Sequence, residues 1–229
     1  MTVGLSSTGI GNMALSHIGA RSKIESLEEV SSEAAEINLW YDWSRRQVLE
    51  AFDWGFARRR LALALHGDTI STTTGDPLAG VWGYRYQYPA DCIVMRKIQN
   101  PNAPPDDATP FDIETNLDGT QKTILTDLQD AVGVYTYDAV SPTLFSPFFV
   151  STLSHLIAHY VAFPLTGKRN IKGDELQIYQ ELIRIAPAHS ANESVSPPPR
   201  EAEWIRARSQ GSQQAKKGAS FVAYPDANN

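Results

Sequence analysis

The segment of residues 31–61 constrains the fold more than any other part of the chain, because three of the five tryptophans lie in it. Its apolar residues recur at steps of three, four and seven, the spacing that places side chains on one face of an α-helix. These residues are Ala34, Ile37, Tyr41, Val48 and Phe52. The segment therefore predicts one long helix with a face directed towards the core.

Trp40 and Trp43 lie beside this predicted core face, three residues apart. They make the apolar arc wider than a helix packed on one side requires. We therefore expect Tyr41 and Phe52 inside the helical core, and Trp40 and Trp43 at its edge or against a neighbouring subunit. If both tryptophans were buried within one subunit, the wide arc would simply be part of a larger core.

The sequence also predicts the ends of this helix and a strand beyond it. A serine at position 31 or 32 is a typical N-cap, and Trp54-Gly55 ends the helical pattern. The alternation after Gly55 predicts a strand that places Arg58 and Arg60 on one side and Arg59 on the other. This division favours ion pairs with the acidic body or with a neighbouring subunit over a phosphate-binding patch.

Three further helices and a β-rich region complete the predicted elements. The first helix covers residues 8–18 and ends at Gly19. Turn-rich and alternating sequence from residue 66 onward predicts about five strands in one antiparallel sheet. A third helix begins at Ser146-Pro147, and a fourth opens at Gly173-Asp174 and should be kinked or shortened by Pro187.

We therefore predict an α+β fold: a four-helix bundle interrupted by an antiparallel β-rich insert, with an extended C-terminal arm. Residues 1–60 hold the first two bundle helices and residues 61–140 hold the β insert. Residues 141–196 hold the last two helices. The tail, residues 197–229, is rich in Gln, Ser, Ala and Lys and poor in apolar periodicity, so we expect it to order only against a partner.

Composition limits the cellular setting. The single cysteine, Cys92, excludes an internal disulfide and a cysteine-rich zinc site. No basic residue precedes Arg21, the N-terminus lacks the shape of a signal peptide, and we expect no apolar run as long as a membrane span. We expect a protein synthesised in the cytoplasm with no membrane partner.

The distribution of charge is more informative than the net charge of −6. Residues 200–229 carry five Lys and Arg against three Asp and Glu, whereas residues 1–199 carry 15 against 23. The body is therefore acidic and the tail basic. An acidic body argues against affinity for nucleic-acid phosphates, which depends on Lys and Arg displacing counterions.

Two motifs resemble ligand sites but lack essential parts. The sequence GIGNMA, residues 9–14, matches a dinucleotide fingerprint, which has meaning only after a strand. Almost no chain precedes it, so we interpret it as structural. His155 and His159 have the spacing of a helical zinc site, but the glutamate of H-E-x-x-H and a third ligand are missing. We expect packing or interface histidines, with no metal and no cofactor.

Carboxylate pairs are the remaining candidate for chemistry. Two carboxylates at a suitable separation could hydrolyse a glycosidic bond, and Glu50 with Asp53 is our choice because they border a tryptophan. A solvated acidic face is the favoured interpretation. Cys92 lies in a predicted strand, which favours a buried thiol over a nucleophile.

Taken in order, several segments resemble the head-to-tail adaptor family of short-tailed bacteriophages, also called tail tubular protein A. The resemblance covers roughly residues 5–195 and lies in the order and spacing of the segments. They are A-L-x-x-I-G ending at Gly19, residues 26–35, R-x-x-L-E-x-F-D-W-x-F-A-R-R-R-L-A-L over residues 46–63, Y-x-Y-P-A-D-C over residues 86–92, F-S-P-F-F over residues 145–149, A-F-P-L-T-G over residues 162–167, and the helix from Asp174.

The resemblance implies a virion protein of the neck that forms a dodecameric ring beneath the portal and carries the tail nozzle, or tail tubular protein B, below. DNA would pass through the ring without specific binding, and virion assembly would build it from monomers made in the host cytoplasm. We hypothesise that the basic tail reaches the portal, which deletion of residues 200–229 tests. The expected subunit or partner contacts are Trp40, Trp43, Arg58, Arg60, Trp204, Arg206, Arg208, Phe221 and Tyr224.

Two other functions remain open from the sequence. Some members of this family have been assigned a cell-wall or polysaccharide hydrolase activity, so the alternative is a virion-associated glycan hydrolase, although no catalytic motif of the family is present. The third is a monomeric binding module unconnected with virions. Assays for released sugar and imaging with portal protein separate the three.

Overall fold

The computed structural model describes residues 6–67, 70, 77–102, 108–116 and 118–191. This part of the chain is mixed α and β, with four α-helices and two small antiparallel sheets. The helices are α1 (Ser7–His17), α2 (Ser32–Ala51), α3 (Pro147–Thr166) and α4 (Arg169–Ala191). The strands are β1 (Arg58–Ala62), β2 (Tyr84–Gln87), β3 (Cys92–Gln99), β4 (Ala108–Thr109), β5 (Asp112–Thr115), β6 (Lys122–Thr126) and β7 (Val132–Tyr137). The strands therefore lie between α2 and α3, as predicted.

Helix α1 begins and ends on local signals. The Ser6 hydroxyl accepts a hydrogen bond from the Gly9 N–H at the N-terminus. At the other end Gly19 adopts φ +72°, a conformation that costs glycine little, and the Ala20 N–H returns to the Leu15 carbonyl. Both predicted boundaries of this helix are therefore confirmed to within one residue.

Helix α2 has the predicted N-cap and core face but ends earlier than predicted. The Ser31 hydroxyl accepts from the Ala34 N–H, and Tyr41 is buried while Phe52 is half-buried against the helical core. The helix ends at Ala51 rather than at Trp54, because Phe52 is already extended. Trp54 folds back under the helix, where its indole N–H donates to the Val48 carbonyl at 2.7 Å.

Helix α3 lies at the centre of the helical part and contacts α1, α2 and α4. This helix is long and apolar enough to match a membrane span by length and composition. The expectation that no apolar run in the chain would be that long is therefore wrong. More than half of this segment is buried inside the protein, as a core helix requires.

Two prolines lie inside helices near their C-terminal ends. Helix α3 continues two residues past Pro164, and α4 continues from Pro187 to Ala191. Proline removes one intrahelical hydrogen bond. Near the C-terminal ends of α3 and α4 this loss does not end the helix. The prediction that α4 opens at Gly173 is also wrong, because the helix already begins at Arg169.

The strands form two sheets rather than the single predicted sheet. One has the order β1-β7-β3-β4 and the other the order β2-β6-β5. The turn of residues 88–91 separates β2 from β3, and β2 then pairs with β6 while β3 pairs with β7. Alternation predicts a strand but not its partner. The predicted hairpin over residues 111–125 is confirmed as β5 and β6.

The β region has a core of its own. Tyr86, Ile98, Ile124 and Tyr135 are buried in it, and the Tyr86 hydroxyl donates to the Leu128 carbonyl at 2.8 Å. The helical core is separate and centres on α3. Tyr137 of β7 packs against both cores.

Candidate functional site

Trp40 packs within the subunit. Its ring stacks on Tyr160 of α3 with centroids 4.4 Å apart and planes 6° from parallel. The Tyr160 hydroxyl donates to Gln47 Oε1, two turns further along α2. Among the residues that the structure describes, the buried indole N–H of Trp40 has no hydrogen-bond partner. The helical core therefore uses the face of this indole but leaves its polar atom unsatisfied.

Trp43 faces outward. Its residue surface is 61% exposed, and Leu39, one turn earlier on the same side of α2, is 66% exposed. We call these two residues the α2 strip. Large apolar side chains side by side on an exposed helix face are typical of a surface that a partner covers. The wide apolar arc is thus divided, with Trp40 in the core and Trp43 outside it.

The α2 strip borders a cleft between α2 and the β region. Trp43, Arg46 and Glu50 line its helical side. The other side is formed by residues 90–93 and Asp138. The cleft therefore combines one exposed indole with three carboxylate residues and one arginine.

Two of the three carboxylates in this cleft are already paired. Asp138 binds both Arg45 and Arg46, and the Arg45 guanidinium also donates to the Ala139 carbonyl at 2.8 Å. Asp91 binds Arg59 and accepts from the Tyr135 hydroxyl at 3.0 Å. Burial, together with the hydrogen bond to this carboxylate, raises the pKa of Tyr135 to about 12.

Cys92 lies at the edge of the same cleft and is half-buried. Burial raises the pKa of its thiol to about 11, and the nearby Asp91 carboxylate acts in the same direction. A thiol with this pKa is protonated at neutral pH and is a poor nucleophile. The prediction of a packing role is consistent with this environment.

Glu50 and Asp53 do not share a cleft. Glu50 lines the cleft beside Trp43, whereas Asp53 lines a separate depression and holds Arg58 through both carboxylate oxygens. A glycosidase needs two carboxylates that flank one bond. The two carboxylates of the hydrolase hypothesis therefore line different depressions.

The three arginines of β1 divide between the two faces of the sheet, as alternation predicts. Arg58 binds Asp53 at 2.7 Å, and Arg60 points to the same depression. Arg59, on the other face, binds Asp91 and lies over the Tyr137 ring at 3.7 Å. Ion pairs with acidic residues of the same chain thus hold two of the three.

Arg96 of β3 has a structural role that the sequence did not reveal. Its guanidinium donates to the carbonyls of Leu49, Glu50 and Phe52 and to the Thr136 hydroxyl, at 2.9–3.1 Å. It therefore satisfies the free carbonyls at the end of α2, whose last turn contains no basic residue of its own. The absence of a basic residue from this last turn was the one feature of the sequence that indicated a partner from elsewhere in the chain.

Arg45 is a second residue that the sequence did not reveal as important. Its side chain is only 2% exposed, although its partner Asp42 is largely exposed. The signal was its position, because Arg45 lies four residues after Tyr41 and three before Val48, within the buried stripe of α2. A charge at such a position indicates a buried ion pair.

The histidines of α3 have partners inside the protein. His155 Nδ1 lies 2.7 Å from the Glu175 carboxylate, and His159 Nδ1 lies 2.8 Å from the Lys172 carbonyl. His17 of α1 stacks on His155 with centroids 3.9 Å apart. Burial and the adjacent His155 ring lower the pKa of His17. These contacts join α1, α3 and α4, which is the packing role that the sequence predicts.

The glycines of GIGNMA also serve packing. They lie inside α1, and Asn12 makes two hydrogen bonds to the backbone of Ile24. No strand precedes α1 in the described residues, which begin at Ser6. The other predicted contact residues, Trp204, Arg206, Arg208, Phe221 and Tyr224, lie outside the described residues.

Neither the models of known protein families nor the curated proteins contain a match to this chain.

Proposed function

We propose that this protein is a structural virion protein: the adaptor ring that joins the portal of a short-tailed bacteriophage to its tail nozzle. In this proposal twelve copies form a closed ring that continues the DNA channel. The four helices act as a bundle interrupted by the β insert, and residues 197–229 form an arm. The ring needs no cofactor and contacts DNA without reading its sequence.

The observation that carries the proposal is the exposed α2 strip, Leu39 and Trp43. A monomer with no partner has little reason to keep an indole and an isobutyl group adjacent on an outward helix face, because covering them stabilises the protein. In a ring, one such face on each subunit is covered by the next subunit. The acidic composition, with a net charge of −6, also suits a channel along which DNA moves without adhering.

The order of the segments supports the same proposal. The run over residues 46–63 that carries the resemblance spans the end of α2, Trp54 and β1. These residues connect the helical core to the β region, so their similarity to the adaptor family concerns the architecture of the subunit. The hydrolase alternative has no comparable support, since Glu50 and Asp53 line different depressions.

Replacing the exposed indole tests the proposal. We expect Trp43→Ser to weaken each contact between neighbouring subunits, and with it assembly on the portal, by about 30-fold, since a tryptophan at the centre of an interface contributes about 2 kcal/mol or more. Val81→Ser is the matched control, because Val81 is 60% exposed and lies in a turn of the β region.

Co-sedimentation with purified portal protein measures both variants. Binding by Trp43→Ser equal to that of the parent protein, or an equal loss in Val81→Ser, would contradict the role of the α2 strip. Thermal unfolding checks that each variant is folded.

A further inference from the structure

Four cations lie on one face of the first sheet. In the register of this sheet Arg60 of β1 and Lys97 of β3 lie on either side of Val134 in β7. Directly paired residues point to the same side of a sheet, so these two cations share a face about 10 Å apart. Arg58 joins them, because it lies two residues before Arg60 on β1.

A β-bulge adds the fourth cation. The register between β3 and β7 shifts between Met95 and Lys97, which leaves Arg96 as an extra residue. Arg96 then reaches Thr136 on the same face as Lys97. We call this surface the basic face; it surrounds a depression lined by Asp53, Arg58, Arg60, Arg96, Lys97 and Val134.

The opposite charge is concentrated at the other end of α2. Residues 24–36 contain five carboxylates and no Lys or Arg. We call this stretch the acidic segment. Glu25 and Glu28 are exposed, and the side chain of Val30 between them and the helix is fully exposed. Glu29 is folded back onto Ser31 and the Glu25 backbone, which fixes the shape of the loop.

The two surfaces cannot meet within one copy. The acidic segment surrounds the start of α2, whereas Arg96 of the basic face binds the carbonyls at its end. A helix of 20 residues is about 30 Å long. Two complementary patches on separate parts of one surface are what a head-to-tail contact between identical copies requires.

We propose that the basic face binds the acidic segment of a second copy of this chain, with Glu25 and Glu28 of that copy beside Arg60 and Lys97. This contact rests on the proposed ring, for which it supplies the heterologous interface. Each copy carries one surface of each charge, so the same contact repeats from subunit to subunit until the ring closes.

The second copy is favoured over nucleic acid because the face is not purely cationic. Asp53 lies within it and is bound by Arg58. The sequence as a whole is acidic, with 26 Asp and Glu against 20 Lys and Arg. A duplex would bring a long row of phosphates against an acidic protein, whereas a short acidic loop brings only a few carboxylates to the patch.

Charge reversal tests the contact directly. The basic-face variant carries Arg60→Glu and Lys97→Glu, and the acidic-segment variant carries Glu25→Lys and Glu28→Lys. Self-association is measured by sedimentation at high protein concentration and an ionic strength of about 0.05 M, where charges are weakly screened. We expect each variant alone to associate at least about tenfold more weakly than the parent protein.

An equimolar mixture of the two variants should recover the association of the parent protein. In the mixture every contact again joins opposite charges, because reversed surfaces face reversed surfaces and native ones face native ones. Recovery also proves that both variants are folded. A third variant with Lys168→Glu and Arg184→Glu on the loop before α4 and on α4 changes the net charge as much as the basic-face variant does, and we expect it to associate like the parent protein.

Three results would overturn the contact: a parent protein that stays monomeric at this ionic strength, variants that associate as the parent does, or a mixture no stronger than its components. A basic-face variant that loses only retention of duplex DNA would assign the surface to nucleic acid instead. The proposed function is measured separately, by binding of the parent protein to portal. Charge-dependent association without portal binding would retain the contact and refute the adaptor function.

Discussion

At the scale of single residues, Gly11 explains why α1 and α2 approach so closely. A Cβ atom at this position would lie 2.9 Å from Ile37 Cγ2, and Ile37 is completely buried. A β-branched side chain has little freedom to move away. The glycine that matches a nucleotide fingerprint in the sequence thus makes room for a neighbouring helix.

We expect Gly11→Ala to lower the free energy of unfolding by about 1–2 kcal/mol, because overpacking outweighs the gain in helix propensity. Gly173→Ala is the matched control. It also lies inside a helix, but its added methyl group meets no atom within 4 Å, so we expect a gain of about 0.5–1 kcal/mol. Urea denaturation measures both. Equal gains at the two positions would show that the helices do not pack as described.

At the scale of elements, α2 and β3 depend on each other. Arg96 reaches three carbonyls at the end of α2 from a strand 44–47 residues further along the chain. Burial removes the charged guanidinium from water and thereby lowers its pKa. The helical part and the β region are therefore joined by hydrogen bonds to a charged group as well as by apolar contacts.

Arg96→Met should reduce the free energy of unfolding by about 2–4 kcal/mol, because several charge-assisted hydrogen bonds are lost at once. Arg58→Met removes the partly exposed ion pair with Asp53 on the same face, and we expect it to cost less than about 1 kcal/mol. Chemical denaturation of the two variants gives the comparison. A loss in Arg58→Met as large as that in Arg96→Met would mean that the cap does not hold the two parts together.

Elements defined by local sequence could be predicted, and long-range pairings could not. The N-cap of α2, the Gly19 end of α1 and the β5–β6 hairpin depend on residues a few positions apart, and all three are confirmed. The choice of β6 rather than β3 as the partner of β2 depends on packing between distant segments. The role of Arg96 was hidden for the same reason.

At the scale of the whole molecule, the candidate site was predicted in part. Trp40 and Trp43 could be predicted as a pair beside the core face. Which of the two indoles enters the core could not be predicted, because it depends on the position of Tyr160. It placed Arg58 and Arg60 on one face. It could not add Arg96 and Lys97, because their shared orientation depends on a β-bulge.

Three surface features of the whole molecule are related to α2. The acidic segment lies at the start of α2, the exposed α2 strip lies further along the helix, and Arg96 of the basic face binds the carbonyls at its end. An apolar strip between two opposite charges is a suitable pattern for a repeated contact between identical copies, since burial provides affinity and charge provides register. This arrangement is our main reason for proposing a ring rather than a monomeric binding module.

The most direct measurement of the proposal is electron microscopy of the purified protein mixed with the portal protein of the same virion. The adaptor function predicts monomers in dilute solution that assemble on the portal into a closed ring with twelve-fold symmetry, with the β region and helices repeated around the channel. Portal particles that remain bare, or a single copy bound without a ring, would contradict it.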